Sequence, residues 1–229
     1  MDIVNNNRAL LFELNGVPLY LTDSMFATWI VSAVLIVFAV IVRIKLRKFK
    51  KVPSGFQNAV EALVELVGNL TKSVLGEKLE FLGAYFFGVF VFIIAANYSG
   101  IFGLRPPTTD LATNLSLALG TFFLIHYHGI RMRKLDYVKD YFSPFFLFLP
   151  FNILGQLGKP VSLSFRLFGN ILGGFIILEV MYSMLPVVAR FFLPAIGHVF
   201  FDLFGGFLQA FVFTMLSMTF VQVMAEKPE

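Results

Sequence analysis

Eighteen consecutive uncharged residues, Met25 to Val42, are followed by nine positions that hold six lysines and arginines, Arg43 to Lys51. Eighteen residues of helix reach about 27 Å, close to the ~30 Å hydrocarbon thickness of a bilayer. A backbone in that medium must satisfy every N–H and C=O internally, which leaves helices or a closed barrel. The chain shows no series of ten-residue segments alternating apolar and polar side chains, so a barrel is excluded. Only 14% of the residues are charged, against roughly 25% in soluble domains, and mean hydropathy is +0.81. The reading is an all-α integral membrane protein of one domain, residues 1–229, with about five to six membrane helices.

The basic run after Val42 places that end of the first span (25–42) in the cytoplasm by the positive-inside rule, and the N-terminus outside. Met1 to Arg8 lacks the basic-then-apolar order of a cleavable signal, so the first span is expected to direct insertion. Pro53-Ser54-Gly55 opens the next element. Residues 56–73 put Phe56, Val60, Leu63, Val67 and Leu70 at helical spacing against Gln57, Asn58, Glu61 and Glu65, an amphipathic helix for the interface. Spans at 79–101 and 111–130 come next, separated by a turn with Pro106-Pro107. The second ends in Arg131-Met-Arg-Lys134, again a cytoplasmic end. Residues 144–157 are short and interrupted by Pro150, so a broken or re-entrant segment is expected there. Two long apolar segments close the chain, within 144–185 and 187–224. The last runs roughly 30 residues, about 45 Å as a helix, so it must tilt steeply or lie near the membrane plane. The C-terminus is then cytoplasmic.

Arg166 lies in the middle of one of these segments. Its guanidinium stays charged in any protein environment, and placing it at mid-bilayer depth costs about 2.5–3.5 kcal/mol. A negative charge must offset that cost. At about 100° per residue, Ser162, Gly169, Asn170 and Gly173 share the arginine's face, and Phe175 and Glu179 take the opposite one. A face of small residues admits a close helix. On the last helix His198, Asp202, Gly205 and Gln209 keep an i, i+4, i+7, i+11 pattern and are expected on one face, a polar stripe suited to a water-lined ion path. The plainer alternatives are an internal ion pair of Arg166 with Asp202 or Glu179, and glycines that serve ordinary packing within the chain.

Lys159-Pro-Val-Ser-Leu-Ser-Phe-Arg-Leu-Phe-Gly-Asn170 resembles the signature of subunit a of F-type ATP synthases. Gln209-Ala-Phe-Val-Phe-Thr-Met-Leu216 is similar to that family's signature on its last helix, and Pro107-Thr-Thr-Asp-Leu-Ala-Thr-Asn-Leu115 to a third. The resemblance spans about Pro53 to Met224. It implies a membrane stator set against a rotating c-subunit ring and a b-subunit peripheral stalk. It also implies two aqueous half-channels and a final pair of long, near-horizontal helices. Under it Arg166 is the stator charge that meets a ring carboxylate. Asn170 and Gln209 take the places of the family's asparagine and glutamine. Asp202 stands where histidine or glutamate is frequent and is read as the access-channel carboxylate. Phe175 stands where the family often has a polar residue, which Glu179, one turn on, would replace. Ser162 and His198 complete the candidate ion path. A bacterial plasma membrane is the expected location.

Cysteine is absent, and His126, His128 and His198 are too scattered for a metal cluster. No Gly-rich phosphate-binding motif is present, so no cofactor or nucleotide site is expected; nor is a nucleic-acid partner, since the basic residues cluster beside spans. A self-contained secondary transporter, the alternative reading, should show a repeated arginine segment, and none is found. A purely structural scaffold would leave Arg166 and the Asp202 stripe without a purpose.

Overall fold

The computed structural model describes residues 9–14, 17–46 and 55–226. The N-terminal residues 1–8, the second half of the basic run, Pro53-Ser54 and the last three residues lie outside it. Strands β1 (Ala9–Leu14) and β2 (Val17–Leu21) pair antiparallel with Leu14 opposite Val17. Asn15-Gly16, between them in the sequence, lie outside the described residues. The hydropathy pattern marks no element here; every regular element beyond it among the described residues is helical, as expected.

Helix α1 (Asp23–Leu46) is buried only near its start, through Ser24, Ala27 and Val31, and at its far end Lys45 Nζ lies 4.8 Å above the Phe56 ring. The remainder presents Val34, Ile36, Val37 and Phe38 outward, as a span does when lipid is its neighbour. Helix α2 (Phe56–Leu75) leaves Leu63, Val64 and Leu66 exposed and buries mainly its end, through Thr71 and Leu75. That suits a helix lying along an interface. A 3₁₀ segment (Glu77–Leu82), α3 (Gly83–Tyr98) and a second 3₁₀ segment (Ser99–Phe102) form one apolar rod of 26 residues. The turn after it leads into α4 (Leu111–Arg133), capped by Asp110, whose side chain accepts from Ala112 N at 3.0 Å. Helix α4 carries more polar residues than its neighbours, among them Asn114, Thr121 and His128. It can do so because it is the central helix: it packs on both of the last long helices and turns those residues inward.

Short α5 (Leu135–Tyr141) is tied back by the Arg133–Asp140 ion pair. Helix α6 (Leu149–Met184) then runs 36 residues, about 54 Å, without interruption. The break or re-entrant turn expected within 144–157 does not occur. Pro150 sits in the first turn, where no N–H donor is required. Pro160 does remove an internal hydrogen bond, at a cost of about 3 kcal/mol. It is itself buried, and beyond it Leu163, Ser164, Leu167, Ile171, Gly174 and Leu178 enter the core. That packing carries the helix past the proline. The chain turns at Leu185-Pro186 into α7 (Val187–His198), a π segment (Val199–Gly205) and α8 (Gly206–Ala225), again one rod of 39 residues. Among the described residues four helical rods are long and apolar enough to cross a membrane: α1, the α3 rod, the α6 rod and the α7–α8 rod. Two apolar clusters join them. One, around Phe86, Ile125 and Val221, ties α3, α4 and α8; the other, around Ile93, Leu167 and Phe213, adds α6.

Candidate functional site

Arg166 lies at the midpoint of α6, on its exposed side. It forms no hydrogen bond and no ion pair among the described residues. An internal pairing with Asp202 or Glu179, the plainer alternative, is therefore absent. The arginine lines a shallow depression with Gly169, Asn170 and Gly173 of its own helix and Phe204, Gly205, Leu208 and Gln209 of the facing one. A methyl group added at Gly169 or Gly173 would meet nothing within 4 Å. These glycines do not serve packing inside the chain. Gly174 and Gly206 do: an added Cβ would come within 3.0 Å of Phe201 and of Asn97 respectively.

Asn170 Nδ2 donates to Gln209 Oε1 at 2.6 Å, joining α6 to α8 at the rim of this depression. Gln209 is 4% exposed, yet its Nε2 finds no acceptor among the described residues. Leaving a buried donor unmade costs about 1–3 kcal/mol. Ser162 shares the exposed side of α6 but makes no hydrogen bond among the described residues and does not line the depression.

Glu179, His198 and Asp202 meet elsewhere. With Phe175, Tyr182 and the turn Gly100–Pro106 they line a second depression. Asp202 Oδ2 lies 2.5 Å from His198 Nδ1, and Tyr182 Oη lies 3.1 Å from His198 Nε2. A neutral imidazole donates through one nitrogen and accepts through the other. The carboxylate accepts only, so Nδ1 carries the proton and Tyr182 donates to Nε2. Glu179 is exposed and has no ion pair or hydrogen bond among the described residues, and Arg105 reaches the same depression after a single bond to Thr109. The arrangement can pass a proton along a carboxylate, an imidazole and a phenol, or attract a cation. No three acidic or imidazole groups among the described residues are placed to hold a metal ion.

The expected single face of His198, Asp202, Gly205 and Gln209 is thus not what the chain builds. His198 and Asp202 line one depression, Gly205 and Gln209 the other. The cause is the π segment between them. A π turn adds a residue without adding a turn, so the helix before it and the helix after it are offset by about 100° about their common axis. Phe175 and Glu179 do lie away from Arg166, as the helical geometry predicts.

Sequence reasoning missed Arg105, Tyr182 and Asn97. Arg105 was visible as the one charge in a proline turn. Tyr182 sits one turn beyond Glu179 on the same face. Asn97 stood as an amide near the end of an otherwise apolar rod. It is buried, donates to Gly206 O and accepts from Thr108.

A family model described as ATP synthase A chain matches residues 25–222. ATP synthase subunit a of Moorella thermoacetica is 32% identical over 213 residues, covering 92% of this chain and 93% of that protein. Its counterpart in Solidesulfovibrio magneticus is 34% identical over 222 residues, covering 93% and 89%.

Proposed function

The chain belongs to the ATP synthase A chain family, and on that premise we propose that Arg166 is the stator charge past which a ring of c subunits carries its carboxylates. The chain is a membrane subunit of an F-type ATP synthase. The observation that carries the stator reading is the open face. A permanent cation stands unpaired among the described residues, beside glycines where an added Cβ would meet nothing within 4 Å, which suits an acidic helix supplied by another chain.

The chemistry is set by the medium. A ring carboxylate facing lipid stays neutral, protonated or ion-bound. Beside Arg166 its charged form is favoured, so it releases its ion. Each charge that crosses carries about 2.3 kcal/mol per 100 mV. Arg166 bars a direct path, so that free energy is drawn through rotation. Glu179, His198 and Asp202, with Tyr182 and Arg105, form the access route to one side; Asn170 and Gln209 shape the wall near the exchange point. The positive-inside rule puts the N-terminus and this access route outside and the C-terminus in the cytoplasm of a bacterial plasma membrane. A b-subunit stalk holds the stator in place.

The test is Arg166→Ala in the assembled, reconstituted complex. ATP-driven ion pumping should be lost, by more than about 100-fold or ~2.7 kcal/mol, with assembly intact. Retained pumping overturns the reading. The self-contained transporter finds no support, since the arginine segment occurs once.

A further inference from the structure

The Pro107–Leu115 motif meets the charged groups of the second depression only through Thr109, which accepts from Arg105 at 3.4 Å, yet it is among the most buried polar stretches of the molecule. Thr108 and Asn114 are both 0% exposed. Asn114 Nδ2 donates to Thr108 O at 2.7 Å, and Thr108 Oγ1 donates to Asn97 Oδ1 at 2.7 Å. Asn97, its amide oriented by that bond, donates through Nδ2 to Gly206 O at 3.0 Å. The next residue, Tyr98, donates its hydroxyl to Leu203 O at 3.2 Å. Two consecutive α3 side chains thus hold two carbonyls at the C-terminal end of the π segment. The Gly206 N–H donates to the Leu203 and Phe201 carbonyls at the same place, so the two side chains add to the backbone bonds that close the turn. The glycines at this end fit the same purpose. A Cβ on Gly206 would come within 3.0 Å of Asn97, and one on Gly205 within 3.3 Å of the Phe200 carbonyl.

We propose that Asn97 and Tyr98, braced by Thr108 and Asn114, are positioning residues that lock the π turn and so keep Asp202 in the outer depression and off the face of Arg166. In a regular helix Asp202 and Gln209 are seven residues apart and point the same way. Asp202 would then turn toward the Arg166 depression, where Gln209 lies, and offer the arginine a counter-charge from its own chain. The wide turn prevents this, and the brace holds the wide turn. The functional consequence rests on the stator reading; the geometry does not.

The chain has no native cysteine, so register can be read by disulfide formation. An ideal Cβ at position 174 lies 3.0 Å from Phe201 Cβ, close to disulfide range. In the assembled complex, Gly174→Cys with Phe201→Cys should cross-link on oxidation. Asn97→Ala with Tyr98→Phe should lower that yield roughly fivefold, the scale of a lost hydrogen bond or more. A bifunctional thiol reagent bridging Asn170→Cys and Gln209→Cys should react as before. In the cysteine-free background the same double variant should lose ATP-driven pumping by about fivefold or more, at wild-type assembly. Tyr98→Phe alone, the milder change, should shift both readouts in the same direction. An unchanged 174–201 cross-link overturns the proposal, and so does full pumping in complexes whose cross-link is lost. Coupled pumping retained in Arg166→Ala would instead overturn the stator reading and leave the cross-linking result standing.

Discussion

Arg166 and His198 are both side chains that a membrane interior disfavours, and the chain treats them in opposite ways. His198 has partners on both ring nitrogens, Asp202 and Tyr182. Arg166 has none among the described residues, and the glycines beside it are open. One region is complete within the described residues; the other, on the proposed reading, is half of an interface. The contrast shows what an uncompensated charge signifies. A stable fold pairs its buried charges, so a fixed cation left unpaired on a small-residue face points to a partner outside the chain.

The comparison can be broken by making the complete region incomplete. On the proposed reading Asp202→Asn removes the carboxylate that orients His198, and pumping should fall about tenfold, or ~1.4 kcal/mol. Full activity would remove Asp202 from the path. Glu179→Gln leaves the His198 network whole and removes one exposed carboxylate, so a smaller, roughly threefold slowing of ion-driven ATP synthesis is expected. Unchanged rates would sink the idea that Glu179 makes up for Phe175. Asn170→Ala probes the other side. Gln209, already lacking one partner, would lose its last, and thermal unfolding of the purified complex should register a loss of about 1–3 kcal/mol. No shift would mean that the pair contributes nothing to holding α6 on α8. Ser162→Ala should change pumping by less than about twofold, since the hydroxyl has no partner to lose; a larger loss would bring Ser162 back into the path.

Four of the expected spans and the face of Arg166 were legible because they rest on regular periodicity; the span expected at 111–130 forms the helix α4, which is not among the rods apolar enough to cross a membrane. Glycines at 169 and 173 fall beside an arginine at 166 in any uniform α-helix. Three features were not legible, each for a definite reason. Pro160 reads as a helix breaker, yet the apolar face beyond it outweighs the lost bond. The π segment has no periodic signature, so the two sides of Asp202 and Gln209 could not be separated until the turn was seen. Asn97 looked like an isolated amide because its partners, Thr108 and Gly206, come from distant parts of the chain. Local pattern specifies which residues share a face up to the first irregular turn; beyond it only tertiary contacts fix the register.

The central claim is that the face of Arg166 is covered by another chain. A single Gly169→Cys, in a chain with no other cysteine, measures this directly. Paired with a cysteine beside the ring carboxylate of the c subunit and oxidised in the assembled complex, it should give a covalent a–c adduct. Val34→Cys, also exposed but on α1, a helix without glycine, should give markedly less. No adduct at position 169, or equal adducts at both positions, would contradict the account.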